Sequence, residues 1–396
     1  MKAVILAGGE GARMGPFTAS EPKVMIPVAN RPILEHVLEA VVGAGVRDIV
    51  VVVGYRRERI MNHLGDGKAF GARVEYAAQA KQLGTAHALL AAREKVPDDL
   101  LVLPGDNLID AALLGDFLAR HSGTSVLLAE HEEPEKYGVA EVQGGKLVRL
   151  VEKPKQRISN LVSTGIFAFP HAVFEEAAAL GEQGRHDLTD VLHELVQRQG
   201  VSAVLASGTW IDAAYPWDLL KANAAALSHV HDVRAGTLEK GVTVRGRVSL
   251  GEGTVLRSGT YIQGPCVIGP GCDIGPNAVL LGATSLGANV RVGAFTVIEN
   301  SLVMADAAIG HQSLLQNSIV GDGARASGAL VAASGTAAVE MEGEWHTVPG
   351  LGAMVGEDAE LGAGVVLEPG TILGPRARVA AGARVRGKVP AGGAVM

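Results

Sequence analysis

The first half of the chain alternates short apolar runs with stretches of helical period. The apolar runs predict strands, and the 3.6-residue periodicity predicts helices between them. Strands are predicted at residues 2–7, 48–53, 74–77, 100–103 and 124–129, and helices at residues 32–44, 57–63, 85–95 and 113–120. This alternation predicts an α/β domain with a mostly parallel sheet covered on both faces, which binds its ligands at the carboxyl ends of the strands.

From about Gly241 the pattern changes, because helical periodicity ends and an aliphatic residue recurs at every sixth position. A fixed short repeat of this kind predicts a parallel β-helix, in which three hexapeptides form one coil with the aliphatic side chains inward. The repeated positions are Leu250, Leu256, Ile262, Ile268, Ile274, Leu280, Leu286, Val292 and Ile298, and then Val355, Leu361, Leu367, Leu373, Val379 and Val385.

The two patterns predict two domains. We expect the first domain at residues 1–229, a junction at 230–240, and the β-helix at 241–396. Within the β-helix, residues from about 304 to 354 lose the six-residue period and include the stretch "EMEGEWHTVPG". We expect this segment to be an irregular lateral insertion.

Charge and composition exclude several classes of protein. A net charge of -7 over 396 residues argues against a nucleic-acid partner, which usually requires a basic surplus. No apolar run approaches the about 20 residues that span a bilayer, and the N-terminal apolar stretch leads straight into glycines without a separate leader. Cys266 and Cys272 are too few for a disulfide scaffold, so we expect buried thiols in a cytoplasmic protein without a membrane partner.

The stretch "LAGGEGARMGPFTASEPKVMIPV" follows the first predicted strand. Glycines such as Gly8 and Gly9 let backbone N–H groups approach an anion closely. Arg13 supplies a planar fork for phosphate oxygens, and Lys23 supplies a point charge. The spacing fits neither a Walker A loop nor a dinucleotide fingerprint, so the loop alone indicates an anion site or an ordinary tight turn.

The stretch resembles the signature of sugar-1-phosphate nucleotidylyltransferases. The resemblance continues along the first domain in "QAKQLGTAHAL", "LPGDNLI", "KYGVAEV", "VEKP" and "WIDAAYPWDLLKAN". It implies a Rossmann-like α/β nucleotidyltransferase domain that uses Mg²⁺ and joins a nucleoside triphosphate to a sugar 1-phosphate.

The resemblance also implies a role for individual residues. The nucleotide would lie against Leu6, Ala7, Gly8, Gly9, Gln79, Gly84, Thr85 and Gly105. The sugar would lie against Gly138, Glu152 and Thr164. Catalysis would depend on Arg13, Lys23 and Lys153, and the metal ligands would be Asp106 and Asp212.

A nucleotidylyltransferase domain followed by hexapeptide repeats resembles archaeal bifunctional enzymes that also transfer an acetyl group from acetyl-CoA to an amino-sugar phosphate. This resemblance implies a left-handed, trimeric β-helix with His311 as the candidate acetyltransferase base. The surrounding motif departs from the family pattern, since Leu314 replaces a tyrosine and Gln316 and Asn317 replace Gly-Asp.

A basic cluster near the C-terminus suits either the phosphates of CoA or a solvated face of the β-helix. It consists of Arg376, Arg378, Arg384, Arg386 and Lys388.

We therefore expect Mg²⁺-dependent transfer from UTP or dTTP to a sugar 1-phosphate such as glucose 1-phosphate or N-acetylglucosamine 1-phosphate. The alternatives are a bifunctional enzyme that also acetylates glucosamine 1-phosphate, and a non-catalytic regulatory subunit. Base and sugar stay open, because Gln79 suits uracil or thymine equally. Ser163 stands where many N-acetylglucosamine-type relatives carry asparagine, and Ala213 and Ala214 replace a common Val-Gly.

Overall fold

The computed structural model describes residues 1–198 and 200–396, which form two compact units. The first unit comprises Met1–Glu10, Pro22–Met25 and Ile33–Asp212, and the second comprises Gly11–Glu21, Ile26–Pro32 and Ala213–Met396. The linear boundaries near residues 229 and 241 stay a prediction. Among the described residues, no helix is long and apolar enough to cross a membrane.

Within the described residues, the first unit contains eleven strands and six helices. The strands are β1 Lys2–Ala7, β2 Asp48–Val53, β3 Arg73–Ala78, β4 Leu100–Pro104, β5 Asn107–Ile109, β6 Ser125–Glu130, β7 Gly138–Gln143, β8 Lys146–Glu152, β9 Leu161–Phe169, β10 Val201–Leu205 and β11 Trp210–Asp212. The helices are α1 Ile33–Gly43, α2 Arg57–Leu64, α3 Thr85–Ala91, α4 Ala111–Arg120, α5 Val173–Gly181 and α6 Leu188–Arg198. Short 3₁₀ turns lie at Lys23–Met25, Lys68–Phe70, Arg93–Lys95 and Pro134–Lys136.

Nine of these strands form one sheet in the order β3-β2-β1-β4-β9-β6-β10-β8-β7, while β11 pairs with β5 in a separate ribbon. The neighbours β3, β2, β1 and β4 are parallel. The prediction of a mostly parallel sheet is nevertheless wrong for the other half, where β6 and β10 are parallel but the other neighbouring pairs are antiparallel. There β9 runs antiparallel to β4 and β6, and β7 and β8 form an antiparallel pair. The sequence between β7 and β8 is only a short turn at Gly144 and Gly145, too short for a parallel crossover.

The parallel half of the sheet creates the edge at which several of the predicted nucleotide-binding residues lie. The apolar run of β1 is largely buried because the strand has neighbours on both sides. Parallel strands end at the same edge of a sheet. The first residues after these strands, at this edge, are Gly8 after β1, Gly54 after β2, Gln79 after β3 and Gly105 after β4.

The second unit is a stack of coils whose short strands form three parallel sheets. The first sheet contains Val233–Arg234, Val248–Leu250, Cys266–Ile268, Thr284–Leu286, Leu302–Val303, Ile319–Val320, Met354–Val355, Ile372–Leu373 and Lys388–Val389. The second contains Thr237–Leu238, Val255–Leu256, Asp273–Ile274, Arg291–Val292, Ala308–Ile309, Arg325–Ala326, Glu360–Leu361, Arg378–Val379 and Ala394–Val395. The third contains Thr243–Arg245, Tyr261–Gln263, Val279–Leu281, Val297–Glu299, Leu314–Gln316, Val331–Ala332, Val366–Leu367 and Arg384–Val385.

The aliphatic positions of both predicted registers are buried in one continuous core. This confirms the β-helix and agrees with its left-handed hexapeptide class. The predicted irregularity at 304–354 is wrong for its first part, since residues up to Ala332 stay in the three ladders. The six-residue period is lost there because the coils become one residue shorter. Paired positions are 18 residues apart from Ile268 to Leu286, but 17 residues apart from Leu286 to Val303.

The break in the coils is a hairpin of two antiparallel strands, Gly335–Met341 and Glu344–Leu351. This is the only part of the predicted insertion that leaves the three ladders among the residues that the structure describes. The second unit also contains the helix α7 at Asp218–Leu227, a 3₁₀ turn at Ala12–Met14, and a small antiparallel ribbon of Pro27–Val28 with Arg31–Pro32.

Both cysteines are free and buried in the β-helix, as the sequence predicts. Burial raises the pKa of the Cys266 thiol to about 11, so the thiolate that would react with oxidants or metals is scarce near neutral pH. Cys272 is buried in the same core, and burial raises its pKa as well.

A buried asparagine of α7 connects three segments of the second unit. Asn223 is fully buried, and its side-chain oxygen accepts hydrogen bonds from the Ala29 backbone N–H at 2.9 Å and the Ser285 hydroxyl at 2.6 Å. Its side-chain nitrogen donates to the Ala283 carbonyl at 3.0 Å. The amide therefore gives buried polar groups on the ribbon and the β-helix their hydrogen-bond partners.

We predict that Asn223→Leu lowers the free energy of unfolding by about 3 kcal/mol, because buried donors and acceptors lose their partner. Urea unfolding followed by circular dichroism measures the change. Asn62→Leu makes the same replacement at an exposed position of α2 and serves as the control, with an expected change within about 0.5 kcal/mol. Equal stability of the two variants would contradict the role given to Asn223.

Candidate active site

The glycine loop follows the carboxyl end of β1 and contacts the loops that follow β2 and β3. Leu6 and Ala7 are the last residues of β1, and the Gly8 carbonyl accepts hydrogen bonds from the Gln82 side chain at 2.6 Å and from the Tyr55 backbone N–H at 3.3 Å. A Cβ atom on Gly8 would lie 2.7 Å from the Gln79 side-chain oxygen. Glycine at this position therefore permits a close approach of two loops.

Gly9 is in a different situation from its neighbour. It is exposed, and no described atom outside its chain neighbours lies within 4 Å of a Cβ built on it. The protein itself therefore does not require glycine here. A close approach of a ligand to the backbone would explain a glycine at this position.

The side chain of Gln79 connects the glycine loop to the segment predicted to bind the base. Gln79 is 8% exposed, and its side-chain nitrogen donates to the Gly84 carbonyl at 3.3 Å and to His87 Nδ1 at 3.2 Å. The structure thus brings Gly8, Gln79 and Gly84 together at one edge of the sheet. Only a few polar atoms are needed there to orient a flat, polar ring.

Thr85 has partners within the protein. Its hydroxyl donates to the Asp187 carboxylate at 3.3 Å and accepts from the Leu188 backbone N–H at 2.8 Å, at the start of α6. Its own backbone N–H also donates to Asp187 at 3.1 Å. Asp187 thus links the start of α3 to the start of α6. Asp187 is not among the residues predicted for the site, and the surrounding stretch "HDLTDV" does not reveal its partner.

The turn between β4 and β5 carries the first predicted metal ligand. The Gly105 backbone N–H donates to the Leu6 carbonyl at 2.9 Å, which fixes this turn against the end of β1. Asp106 follows, and the Lys23 ammonium donates to its Oδ2 atom. The Lys23 side chain is 15% exposed and the Asp106 side chain 27%, so the ion pair is partly withdrawn from water.

The second predicted metal ligand lies on the strand that pairs with this turn. In the antiparallel ribbon of β5 and β11, Asp212 is opposite Asn107, the residue that follows Asp106. Two carboxylates therefore lie at neighbouring strand ends. Carboxylate oxygens are suitable Mg²⁺ ligands, and Mg²⁺ commonly takes only one or two from the protein, with waters and phosphates completing its octahedron.

This donor set fits Mg²⁺ bound together with a phosphate substrate rather than a metal held by the protein alone. Among residues 1–198 and 200–396, no three or more His, Cys, Asp or Glu residues are grouped so that they could hold a metal ion. Asp106 and Asp212 would hold the ion.

The predicted sugar site lies on the hairpin of β7 and β8. Gly138 is opposite Glu152 in the register, and a Cβ on Gly138 would lie 3.1 Å from Glu152 Oε2. Lys153 follows directly, with a positive φ of 42° and its backbone N–H bonded to the Tyr137 carbonyl at 3.0 Å. A lysine in left-handed conformation costs conformational energy.

Thr164 is buried in an irregular stretch of β9, where its hydroxyl donates to the Leu127 carbonyl at 2.8 Å. The Thr164 carbonyl accepts from the side chain of Asn107 at 3.1 Å. Asn107, which is 4% exposed, is not among the residues predicted for the site. It ties the metal-side turn to the strand that carries Thr164, and its place beside Asp106 in "LPGDNLI" is the signal in the sequence.

Arg13 belongs to the second unit. It lies in the 3₁₀ turn Ala12–Met14, and its Nε atom donates to Glu342 Oε2 at 2.8 Å. Glu342 is at the tip of the hairpin that interrupts the β-helix, 329 positions further along the chain. Sequence reasoning does not find this residue, because a contact between such distant segments leaves no local pattern.

The predicted acetyl-transfer residues lie on the β-helix. His311 is exposed at a corner of the coil, and its ring borders Gly328, where a Cβ would lie 3.2 Å from His311 Cε1. Gln316 donates to the Glu299 carboxylate at 2.9 Å, and the Asn317 side-chain oxygen accepts from Asn300 at 2.6 Å. The residues that replace the expected motif are thus engaged in contacts between successive coils.

The basic cluster near the C-terminus is partly neutralised by the coil beneath it. Arg378 pairs with Glu360 at 3.5 Å, and Arg384 pairs with Glu368. All four residues lie on the outside of the β-helix, where such pairs contribute little to stability. These contacts agree with a solvated face.

Comparison with known proteins identifies the family. A family model described as nucleotidyl transferase matches residues 2–229, and a model described as GMPPB C-terminal domain matches residues 262–336. The chain belongs to the nucleotidyl transferase family and is an enzyme of that family, as the signature stretch predicts.

Individual relatives cover most of the chain. A bifunctional protein GlmU of Methanococcus maripaludis is 33% identical over 392 residues, which cover 96% of this chain and 93% of the relative. A glucose-1-phosphate thymidylyltransferase of Streptomyces griseus is 31% identical, with 84% of this chain and 92% of the relative covered.

A solved structure shares the fold of more than half of the chain. The crystal structure of a Bacillus anthracis protein, assigned as a glucose-1-phosphate thymidylyltransferase and in complex with a sucrose, has a TM-score of 0.55 and 31% identity. It covers 59% of this chain and 98% of its own.

We predict that two glycine substitutions affect stability to different extents. A Cβ on Gly84 would lie 2.5 Å from the His186 carbonyl oxygen, so Gly84→Ala should lower the free energy of unfolding by about 2 kcal/mol. Gly9→Ala has open space around it and should change stability by less than about 0.5 kcal/mol. Urea titration of both variants checks this, and a Gly84→Ala protein as stable as the wild type would refute the close packing of that loop.

Proposed function

We propose that the chain catalyses the Mg²⁺-dependent transfer of a nucleotidyl group from UTP or dTTP to a sugar 1-phosphate. The observation that carries this proposal is the Lys23–Asp106 ion pair beside Asp212 at the carboxyl edge of the sheet. A cation and two carboxylates at one edge suit a reaction in which a metal ion and a lysine must together hold phosphate groups.

The reaction brings two anions together. An oxygen of the sugar 1-phosphate attacks the α-phosphorus of the triphosphate, a new O–P bond forms, and the bond to the β-phosphate oxygen breaks to release pyrophosphate. The attacking phosphate is already ionised near neutral pH, so no general base is required. Catalysis then depends on positioning and on offsetting negative charge.

Each charged residue has a separate task in this reaction. Lys23 faces the incoming phosphate, and Lys153 neutralises charge on the sugar side, while Arg13 and the backbone of Gly8 and Gly9 hold the triphosphate and the leaving pyrophosphate. Mg²⁺ held by Asp106 and Asp212 would supply positive charge to the phosphate oxygens. When Asp106 serves as a metal ligand, the Lys23 ammonium can release the Asp106 carboxylate and donate to a phosphate oxygen instead.

The remaining predicted residues hold the two organic parts. Gln79 presents amide groups that suit uracil or thymine, with Leu6, Ala7, Gly84, Thr85 and Gly105 around the nucleotide. Gly138, Glu152 and Thr164 are the residues that we assign to the sugar. The chain's relatives include a thymidylyltransferase named for glucose 1-phosphate and a protein named GlmU, which supports this class of substrates.

The wider setting of this proposal is a cytoplasmic enzyme of nucleotide-sugar synthesis that associates through its β-helix, as a trimer or a multiple of it. Most soluble oligomers are built from identical chains with closed symmetry.

We predict that Lys23→Ala lowers turnover at least about 100-fold, because the incoming phosphate and the charge that develops on it lose their lysine partner. Pyrophosphate release with UTP or dTTP and a sugar 1-phosphate measures turnover, and circular dichroism verifies folding. Lys68→Ala, at a side chain that is 85% exposed and paired only locally with Asp66, is the matched control. Turnover of Lys23→Ala close to that of the control would contradict the role given to Lys23. A wild-type protein without pyrophosphate release would favour the non-catalytic alternative instead.

A second candidate activity is acetyl transfer from acetyl-CoA to glucosamine 1-phosphate, with His311 as base. The exposed His311 ring and the relative named as a bifunctional protein favour it. The engagement of Gln316 and Asn317 in contacts between coils argues against it, because a base needs a substrate anchored within hydrogen-bond reach.

We predict that thiol release from acetyl-CoA with glucosamine 1-phosphate stays at the background rate, and that His311→Ala does not change it. Free CoA is measured with a thiol reagent in parallel with pyrophosphate release. Glucosamine-dependent thiol release at turnover rates, lost in His311→Ala, would show instead that the chain has both activities.

A further inference from the structure

The tip of the hairpin contacts the arginine of the signature stretch. The hairpin strands Gly335–Met341 and Glu344–Leu351 pair in a register that places Met341 opposite Glu344. Glu342 and Gly343 are therefore the two residues of the turn. Glu342 Oε2 accepts the hydrogen bond from Arg13 Nε at 2.8 Å.

The turn is unfavourable for a glutamate. Glu342 and Gly343 both have positive φ, 53° and 83°, as in a type I′ turn. Asn, Asp or Gly is preferred at the first of these positions because a longer L side chain is strained there. A glutamate at the tip therefore costs free energy of folding, and the turn itself gives no reason for it.

The stability that the Arg13–Glu342 ion pair contributes is too small to explain why a glutamate is kept in this turn. The Arg13 and Glu342 side chains are 45% and 51% exposed, and ion pairs in water contribute little because solvent screens them and both side chains lose entropy. What the pair does supply is a fixed direction for the Arg13 guanidinium.

The hairpin is packed firmly enough to hold Glu342 in place. Ala337, Val339 and Met341 are buried, and a Cβ on Gly370 would lie only 2.6 Å from the Cβ of Ala337. Close packing of this kind leaves the first strand little room to shift.

A second contact lies on the other strand of the hairpin. The His346 ring is 4.6 Å from the ring centre of Tyr215 and 5.5 Å from that of Trp217, and these two aromatic rings stack at 4.8 Å. The hairpin thus touches both Arg13 and the segment that begins directly after Asp212.

We propose that Glu342 is a positioning residue for nucleotidyl transfer, which holds the guanidinium of Arg13, the residue proposed to bind the triphosphate. This inference rests on the proposed function, since Arg13 is the residue that touches the substrate and Glu342 acts through it. A carboxylate that instead competed with the phosphates for Arg13 would have the opposite effect on triphosphate binding.

Glu342→Asn tests the inference, because asparagine suits the type I′ turn but is neutral and shorter. We expect the melting temperature to stay the same or rise, while KM for UTP or dTTP rises about fivefold and KM for the sugar 1-phosphate stays unchanged. The triphosphate KM would then rise without a fall in the melting temperature, which is not expected when a merely structural residue is replaced. Glu344→Asn makes the same change two residues away at an exposed side chain and is expected to leave every KM unchanged.

The outcomes separate this inference from the proposed function. A wild-type protein without pyrophosphate release overturns the proposed function and the inference with it. Normal wild-type turnover with an unchanged triphosphate KM in Glu342→Asn overturns the inference alone. A lower triphosphate KM in that variant also overturns it, because Glu342 then competes with the substrate.

Discussion

The ion pair between Lys23 and Asp106 is the interaction on which the candidate site depends. Both charges are largely covered, and removing either one from water alone would be costly. Each therefore stabilises the other in place: the ammonium at the end of the signature stretch, and the carboxylate in the turn between β4 and β5. That turn is in turn fixed to β1 by the hydrogen bond from Gly105 to Leu6. These two contacts thus connect the end of β1, the Lys23 ammonium and the predicted metal ligand Asp106.

The two units are built by different physical rules. The first has a single sheet whose parallel strands end at a common edge, so residues that follow different strands meet there without any repeat in the sequence. The second unit repeats one small motif, and its core is a column of aliphatic side chains in three ladders. A repeated stack offers flat and regular faces, and the hairpin is the place where this chain departs from regularity.

Much of the fold could be predicted from the sequence because its signals are local. The alternation of apolar runs and helical segments predicts β1 to β4 and α1 to α4, and the six-residue period predicts the β-helix core. The same local rule fails where one residue is missing from a coil, as between Leu286 and Val303, because the period shifts although the ladder continues. The antiparallel course of β9 also escaped prediction, since strand direction depends on partners distant in the chain.

The candidate site shows the same difference between local signals, which the sequence contains, and long-range contacts, which it does not. Glycines, Lys23 and Asp106 lie in motifs that can be read directly, whereas the partners of those residues cannot. Asn107 and Asp187 are held by hydrogen bonds to Thr164 and Thr85, and Glu342 reaches Arg13 from a distant hairpin. Each of these contacts is produced by tertiary packing, which a single sequence does not record.

The most direct measurement follows the oxygen atoms of the attacking phosphate. The protein is incubated with Mg²⁺, UTP or dTTP, and a sugar 1-phosphate whose non-bridging phosphate oxygens carry ¹⁸O, and both products are analysed by mass spectrometry. The account predicts that all of the label stays in the nucleotide sugar and that unlabelled pyrophosphate forms in equal amount. Label in pyrophosphate, or no nucleotide sugar at all, would contradict it.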